Sequence, residues 1–260
     1  MDFGITGKVV IVTGGGTGIG FAIAKAFHDE GAIVVINGRT KEKLDAATAK
    51  LGRFAHGVVA DLTTAAGASE LHAFASRFGA VDFLVNNIGR FDVEPFFDIS
   101  DERWHEYFEE NLMTGIRIPR LVMKDMLARK SGSIVFIASE AAVRPIPHMV
   151  HYSTTKTAQL GLSRALAETT RGTGVRVNAY CPGTTATESV KGYFEGVAKA
   201  RGLPFDEVVS GFYQTDQPGS LLQGLIDPAW HGRAIVQLMT NPAQNGTTQR
   251  ADGGTAQFIV

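Results

Sequence analysis

Short runs of β-branched and other apolar residues alternate along this chain with longer segments of helical periodicity. The apolar runs cover residues 9–12, 32–36, 56–60, 81–85, 133–137 and 175–180, and the helical segments cover residues 18–30, 41–51, 66–78, 101–128 and 152–171. Strands that are apolar on both faces suit a parallel sheet that is covered by helices on each side. The alternation therefore predicts an α/β fold with a doubly wound parallel sheet and right-handed crossovers.

Length and composition narrow the class of protein. The 260 residues suit one large domain, so we predict a single dinucleotide-binding and catalytic domain over residues 1–260. The net charge of -1 provides no basic surplus for nucleic acid. Cys181 is the only cysteine, which excludes an intrachain disulfide. The start of the chain lacks a signal-peptide pattern, and no apolar run approaches the ~18 residues of a membrane span. We expect a cytoplasmic protein that contacts neither nucleic acid nor membrane.

A glycine-rich turn joins the first strand to the first helix. Residues 13–20 read Thr-Gly-Gly-Gly-Thr-Gly-Ile-Gly, which is the spacing T-G-x-x-x-G-x-G rather than G-x-G-x-x-G. Glycines permit a tight turn and let backbone N–H groups approach a pyrophosphate at a helix N-terminus. A flexible loop is the alternative, but the position between strand and helix favours dinucleotide binding in a Rossmann-like sheet. The predicted binding residues here are Gly14, Thr17, Gly18 and Ile19.

The residues after the second strand bear on coenzyme choice. An acidic residue here would accept hydrogen bonds from a ribose 2′-hydroxyl and favour NAD, whereas an arginine can pair with a 2′-phosphate. No Asp or Glu occurs from Ile33 to Lys41, and Arg39 and Thr40 follow the strand. The sequence favours NADP(H), with NAD(H) possible and a solvated loop charge as the alternative interpretation of Arg39.

Tyr152 and Lys156 are four residues apart in a helical segment, so their side chains share one helix face. A phenol is a poor acid-base catalyst at neutral pH, and a neighbouring ammonium brings its pKa closer to the operating range. Ser139 ends the fifth strand thirteen positions earlier, where ligands bind in such sheets. Its hydroxyl can donate to the carbonyl oxygen that Tyr152 protonates. A surface Tyr–Lys pair and an unrelated serine are the alternative.

With these residues the chain resembles the short-chain dehydrogenase/reductase family along essentially its whole length. The resemblance implies hydride transfer between a nicotinamide coenzyme and a carbonyl or alcohol carbon, with Tyr152 as general acid/base. It also implies that Lys156 binds the nicotinamide ribose, that Asn111 holds a water in a proton relay, and that the protein is a homo-oligomer, most commonly a tetramer. The further coenzyme contacts that it implies are Asp61, Leu62, Asn87, Gly89, Tyr152, Pro182, Gly183, Thr185 and Thr187.

The chain departs from the family pattern at a few positions. Ile88 replaces a small alanine in the Asn-Asn-Ala-Gly stretch, which concerns local packing around the coenzyme. The glycine-rich turn lacks the basic residue of some NADP-preferring members, so coenzyme choice depends on Arg39. Trp230 and His231 stand where the family commonly opens a helix with a Glu-Val pair, which leaves the start of that helix open.

The segment 184–226 is a long insertion with aromatic residues at helical spacing. We predict a substrate loop or lid that closes over an apolar carbonyl compound, with a packed helix pair or subunit contact as the alternative. Glu140, His148 and His151 lie near enough in sequence to touch substrate, whereas Cys181 is expected to be a small buried residue. No residue grouping has metal-ligand spacing, so no catalytic metal is predicted.

Two classes of function remain at this point. The first is an oxidoreductase, either a 3-oxoacyl-thioester reductase or a sugar or polyol dehydrogenase, acting on a small carbonyl or alcohol substrate. The second is a non-catalytic dinucleotide-binding regulator or scaffold. Such a protein is expected to have lost the tyrosine, lysine or serine, and all three are present here.

Overall fold

Seven parallel strands form the centre of the computed structural model, which describes residues 2–257. The predicted domain 1–260 also includes Met1 and residues 258–260, which lie outside the described residues. The strands are β1 (Val9–Val12), β2 (Ile33–Gly38), β3 (Ala55–Val59), β4 (Val81–Asn86), β5 (Gly132–Ile137), β6 (Val175–Pro182) and β7 (Thr248–Ala251). The helices are α1 (Gly18–Asp29), α2 (Lys41–Leu51), α3 (Ala65–Ala75), α4 (Asp101–Phe108), α5 (Thr114–Arg129), α6 (Val150–Thr169), α7 (Glu188–Arg201), α8 (Phe205–Thr215) and α9 (Pro228–Thr240).

The strand order is β3-β2-β1-β4-β5-β6-β7, with every neighbouring pair parallel. The chain therefore reverses its direction of progress across the sheet between β1 and β4. In an open α/β sheet, ligands bind beyond the carboxyl ends of the strands at such a reversal. The glycine-rich turn after β1 and the Asn-Asn-Ile-Gly stretch after β4 meet at this point. The predicted Rossmann-like fold is confirmed.

The sheet is buried on both faces because successive residues of a strand point to opposite sides. In β1, Val10 and Val12 join a core cluster that includes Phe27 of α1 and Ile235 of α9. Val9 and Ile11 of the same strand lie in a second cluster, which draws on α3, α5 and α6. The continuous apolar sequence of β1 follows from burial on both sides.

The predicted single helix over residues 101–128 is wrong in one respect. Its helical path is interrupted by a π-helical segment, Glu109–Met113, that separates α4 from α5. A π turn holds one extra residue per turn, which rotates the following side chains relative to a regular helix. The hydrophobic periodicity of the sequence does not reveal this local change in helix geometry. The rotation brings Asn111 into the interior, where it is fully buried.

The segment 184–226 folds largely as α7 and α8, in line with its helical spacing. Phe194 and Val208 are the buried centre of a small separate cluster between these two helices.

The sequence left the start of the helix near Trp230 open. The structure shows that this helix, α9, begins at Pro228, and the Asp227 side chain caps it by accepting from the Ala229 N–H at 2.8 Å. The seventh strand, β7, is not predicted, since its sequence Thr-Gln-Arg-Ala carries no apolar run.

Across residues 2–257, no helix combines the length and the apolar character needed to span a membrane.

Gly20, in the first turn of α1, is a position where the fold requires the absence of a side chain. A methyl group there would lie 2.3 Å from the Gly14 carbonyl oxygen and 2.5 Å from Asn87 Nδ2. We predict that Gly20→Ala lowers the free energy of unfolding by about 1–3 kcal/mol, since backbone atoms cannot yield. Urea unfolding measures the change. Gly16→Ala is the matched control, because its methyl group would meet Leu44 Cδ2 at an ordinary 3.7 Å; equal losses in both variants would contradict the argument.

Candidate active site

The side chains of Asn37, which is buried, and Asn87, which is half-buried, hold the glycine-rich turn at the carboxyl end of β1. Asn37, near the carboxyl end of β2, accepts from the Gly14 N–H at 3.2 Å and donates to the Ala60 carbonyl at 2.8 Å. Asn87 Nδ2 donates to the carbonyls of Thr13 at 3.0 Å and Gly14 at 3.3 Å. The turn is therefore a rigid feature and not a flexible loop. Asn87 is among the predicted residues, whereas Asn37 was not predicted.

A cleft of about 1480 Å³ runs along the carboxyl edge of the sheet from this turn to helices α7 and α8. Of the predicted catalytic and coenzyme residues, Asn111 alone does not line it. Those that do are Gly14, Thr17, Gly18, Ile19, Arg39, Thr40, Asp61, Leu62, Asn87, Gly89, Ser139, Tyr152, Lys156, Pro182, Gly183, Thr185 and Thr187. Residues from six separate strand ends thus border one continuous space.

One end of the cleft carries opposite charges. The Arg39 guanidinium is largely exposed, and its Nη1 lies 3.5 Å from Glu110 Oε1. Asp61 Oδ1 accepts from the Thr63 N–H at 3.0 Å and from its hydroxyl at 2.8 Å. These two hydrogen bonds hold the pKa of Asp61 below its usual range. Glu110, in the π-helical segment, was not predicted to approach Arg39.

Ser139, Tyr152 and Lys156 meet at the middle of the cleft. Ser139 lies just beyond the end of β5, after Ala138, and Tyr152 and Lys156 lie one turn apart near the start of α6. The Ser139 side chain interacts with the Tyr152 phenol and favours its ionised form, and Lys156 Nζ is 5.7 Å from the centroid of the Tyr152 ring. Phe91 packs its edge against the same ring, with centroids 6.2 Å apart.

Burial determines the protonation of the tyrosine and the lysine. Burial raises the pKa of Tyr152 to about 12, although the interaction with Ser139 opposes the shift. It lowers the pKa of Lys156 to about 8. The ammonium was expected to lower the phenol pKa, whereas desolvation raises it in this state of the protein. At neutral pH, Tyr152 is therefore a neutral phenol that can donate a proton, beside a mainly charged Lys156.

Lys156 is itself enclosed, with 3% of its surface exposed. Its Nζ donates to the Ile137 carbonyl at 2.9 Å and to Gln159 Oε1 at 3.3 Å. Gly89 is the close neighbour on the other side, because a methyl group on Gly89 would lie 2.9 Å from Nζ. Gln159 was not predicted, since only the tertiary structure brings its side chain to the ammonium.

Asn111 lies directly behind the lysine. Its Oδ1 accepts from the Arg90 N–H at 2.7 Å, and its Nδ2 donates to the Arg90 carbonyl at 3.0 Å and to Thr155 Oγ1 at 3.0 Å. Asn111 therefore ties the loop after β4 to helix α6. Its predicted part in a proton relay stays a prediction.

His231 is another residue that was not predicted to contribute. It is fully buried on α9, with Nδ1 at 2.8 Å from the Tyr180 hydroxyl and Nε2 at 2.9 Å from Thr185 Oγ1. Burial lowers its pKa to about 4, so the imidazole is neutral. His231 thereby fixes Thr185, one of the predicted coenzyme residues. The departure from the family pattern at Trp230 and His231 was the available signal.

Glu140, the residue after Ser139, connects the loop after β5 to the 184–226 segment. Glu140 Oε1 accepts from Gln217 Nε2 at 3.0 Å and lies 3.4 Å from Thr184 Oγ1. Gln217 Oε1 in turn accepts from Arg144 Nη1 at 2.8 Å. Burial, with the nearby Asp252 carboxylate, raises the pKa of Glu140 to about 7. Hydrogen bonds thus hold the chain beyond α8 against the loop that follows β5.

Three other candidates from the sequence have different surroundings. His148 lines the cleft, whereas His151 is fully buried with its ring 3.9 Å from that of Tyr107. Cys181 is fully buried, and burial raises the pKa of its thiol to about 11, which keeps it protonated. Within residues 2–257, no group of three or more His, Cys, Asp or Glu side chains is arranged to hold a metal ion.

Comparison with known proteins agrees with this geometry. The family model described as short chain dehydrogenase matches residues 8–198. An uncharacterized oxidoreductase of Bacillus subtilis (strain 168), YvrD, is 43% identical over the full length of both chains.

Two solved structures share the fold over almost the whole chain. L-Sorbose reductase from Gluconobacter frateurii, complexed with NADPH and L-sorbose, has a TM-score of 0.94 at 29% identity and full coverage of both chains. A variant of actinorhodin polyketide ketoreductase with NADPH has a TM-score of 0.88 at 28% identity, covering 98% of this chain and 100% of the other. The chain belongs to the short-chain dehydrogenase/reductase family and is an enzyme of that family.

Proposed function

We propose that this enzyme uses NADP(H) to reduce the carbonyl group of a small, partly apolar substrate to an alcohol. The observation that carries the proposal is the meeting of Ser139, Tyr152 and Lys156 in one cleft with the glycine-rich turn. The neutral state of the Tyr152 phenol favours reduction, in which a proton must be donated.

The glycine-rich turn has the features that a dinucleotide requires. Gly14 and Gly18 have φ values of 62° and 58°, a region that favours glycine. A methyl group on Gly18 would lie 3.2 Å from Thr187 Cγ2, so the space between the turn and the loop after β6 is narrow. Thr17 does not cap α1 with its side chain, which leaves the first N–H groups of the helix to a phosphate.

The residues at the middle of the cleft divide the work of catalysis. A bound nicotinamide coenzyme supplies the hydride. Tyr152 donates a proton to the carbonyl oxygen, and the Ser139 hydroxyl donates a hydrogen bond to the same oxygen. The Lys156 ammonium stabilises negative charge on the Tyr152 oxygen after proton transfer, and it would also hold the nicotinamide ribose of a bound coenzyme.

The preference for NADP(H) depends on Arg39 and Thr40. Arg39 can pair with a 2′-phosphate, whose charge would compete with that of Glu110 for the guanidinium. Glu110 therefore weakens the preference without abolishing it, because a phosphate presents more charge than one carboxylate. The coenzyme bound by both reductase neighbours, NADPH, supports this assignment.

The substrate end of the cleft is mainly apolar. Its apolar side chains come from the loop after β4, from the loop between β5 and α6, and from α7 and α8. They are Phe91, Val93, Ile146, Met149, Val190, Tyr193, Phe194 and Phe212. We infer that α7 and α8 form a lid over a hydrophobic carbonyl compound, with a 3-oxoacyl thioester as one candidate. The sugar reductase among the neighbours keeps a ketose as the second candidate.

A panel of ketones, aldehydes, 3-oxoacyl thioesters and ketoses, followed by NADPH absorbance, tests the proposal. Consumption of NADPH with an apolar carbonyl compound is expected. A protein that binds NADPH but reduces no member of the panel would instead be a binding protein.

Tyr152→Phe removes the proton donor while keeping the ring that packs against Phe91. We predict a fall in kcat of about 10²–10⁴-fold, with the Kd for NADPH nearly unchanged. Steady-state kinetics and coenzyme fluorescence measure the two quantities. Tyr107→Phe, the same change at a buried tyrosine of α4, serves as control and is expected to retain turnover. Near-wild-type turnover in Tyr152→Phe would refute the assignment.

Arg39→Ala removes the predicted partner of the 2′-phosphate. Because a hydrogen bond to a charged group contributes about 1.5–3 kcal/mol, we predict that the KM for NADPH rises about 10- to 100-fold while the KM for NADH changes little. Arg171→Ala removes an exposed arginine that pairs with Glu168 and should leave both constants unchanged. An equal rise for both coenzymes in Arg39→Ala would show that Arg39 does not select between them.

A further inference from the structure

Gln159 lies one helical turn beyond Lys156 on α6, and only 2% of its surface is exposed. Both ends of its amide are used. The amide oxygen accepts from Lys156 Nζ at 3.3 Å, and the amide nitrogen donates to the main-chain carbonyl of Asn111. The side chain therefore bridges the catalytic ammonium and the π-helical segment directly.

An amide is suited to this position for electrostatic reasons. Burial lowers the pKa of Lys156, and a hydrogen-bond acceptor on the ammonium opposes that shift because it favours the charged form. An amide does not titrate, so the support is the same at every pH. An apolar residue of similar size would remove one acceptor from the ammonium and one donor from the Asn111 carbonyl.

Among residues 2–257, no acidic side chain forms an ion pair with Lys156. Tyr152 on the same helix is neutral, and Cys181 on β6 is a thiol with a raised pKa. The Ile137 carbonyl at the end of β5 is its second acceptor, at 2.9 Å. Gly89, after β4, approaches with main-chain atoms alone. Gln159 thus supplies one of two neutral acceptors on which the charged state depends.

We propose that Gln159 is a positioning residue for proton transfer, which orients Lys156 Nζ and keeps it charged in the working pH range. The proposal rests on the proposed function for its consequence in catalysis. Its effect on the lysine itself can be measured without coenzyme or substrate.

The first test is an NMR titration of the Lys156 side chain in the coenzyme-free protein, with the signal assigned by its loss in Lys156→Arg. Gln159→Leu should lower the pKa of Lys156 by about one unit, since an acceptor is lost. Gln159→Glu should raise it, because a carboxylate then faces the ammonium. Opposite shifts from two substitutions at one site are not expected from a general loss of packing.

The second test is the pH profile of kcat/KM for carbonyl reduction. Activity should fall at alkaline pH as Lys156 loses its proton, and this limb should move to lower pH in Gln159→Leu and to higher pH in Gln159→Glu. Gln244→Leu makes the same chemical change at a residue that does not line the cleft, and should keep the wild-type profile.

The outcomes separate the two proposals. A Lys156 pKa that is unchanged in both variants, or shifted in the same direction in both, overturns the role of Gln159. If Gln159→Leu does not fold, the direction of the shift in Gln159→Glu decides alone. A wild-type protein that reduces no carbonyl compound refutes the proposed function, while the titration still decides whether Gln159 supports the ammonium.

Discussion

The burial of one ammonium group is the constraint around which the site is organised. Taking a lysine charge out of water costs several kcal/mol unless acceptors replace the lost hydration. Lys156 meets this requirement with the Ile137 carbonyl at the end of β5 and the Gln159 amide on α6. Gly89 has no side chain where the ammonium needs room. The end of β5, helix α6 and the loop after β4 thus all contribute to the surroundings of one charged atom, Lys156 Nζ.

The π-helical segment Glu109–Met113 connects this charge to the rest of the cleft. Asn111 turns inward behind Lys156, and its carbonyl accepts from Gln159. The preceding residue, Glu110, reaches Arg39 at the opposite end of the cleft. One irregular turn therefore contacts both Arg39, the predicted coenzyme-selecting arginine, and Gln159, which supports the ammonium of Lys156. Such turns are often found at functional sites, where they reorient side chains that a regular helix would place elsewhere.

The sequence predicts those features that depend on local pattern. Apolar runs such as that of β1 indicate strands, the glycine spacing indicates the turn, and the separation of Tyr152 and Lys156 places them on one helix face. The turn, Tyr152 and Lys156 then line one cleft at the carboxyl edge of the sheet, which is where ligands bind in a doubly wound fold.

The features that escaped prediction depend on tertiary contacts. Gln159 is separated from Asn111 by 48 positions, and His231 from Thr185 by 46, so no local spacing links them. β7 pairs with β6 through the backbone and carries no apolar pattern of its own. The pKa of Tyr152 also differed from expectation, because burial raises it to about 12. The sequence shows that Lys156 is a neighbour of Tyr152, but it does not show that folding removes the phenol from solvent.

The central claim is that the cleft directs a hydride from NADPH to a carbonyl carbon. The most direct measurement uses NADPH deuterated at one C4 position at a time, with the alcohol product analysed by mass spectrometry. The account predicts deuterium on the carbinol carbon from one of the two positions and none from the other, because a rigid cleft holds the nicotinamide in one orientation. Deuterium from both positions in equal amount, or an alcohol without deuterium from either, would contradict it.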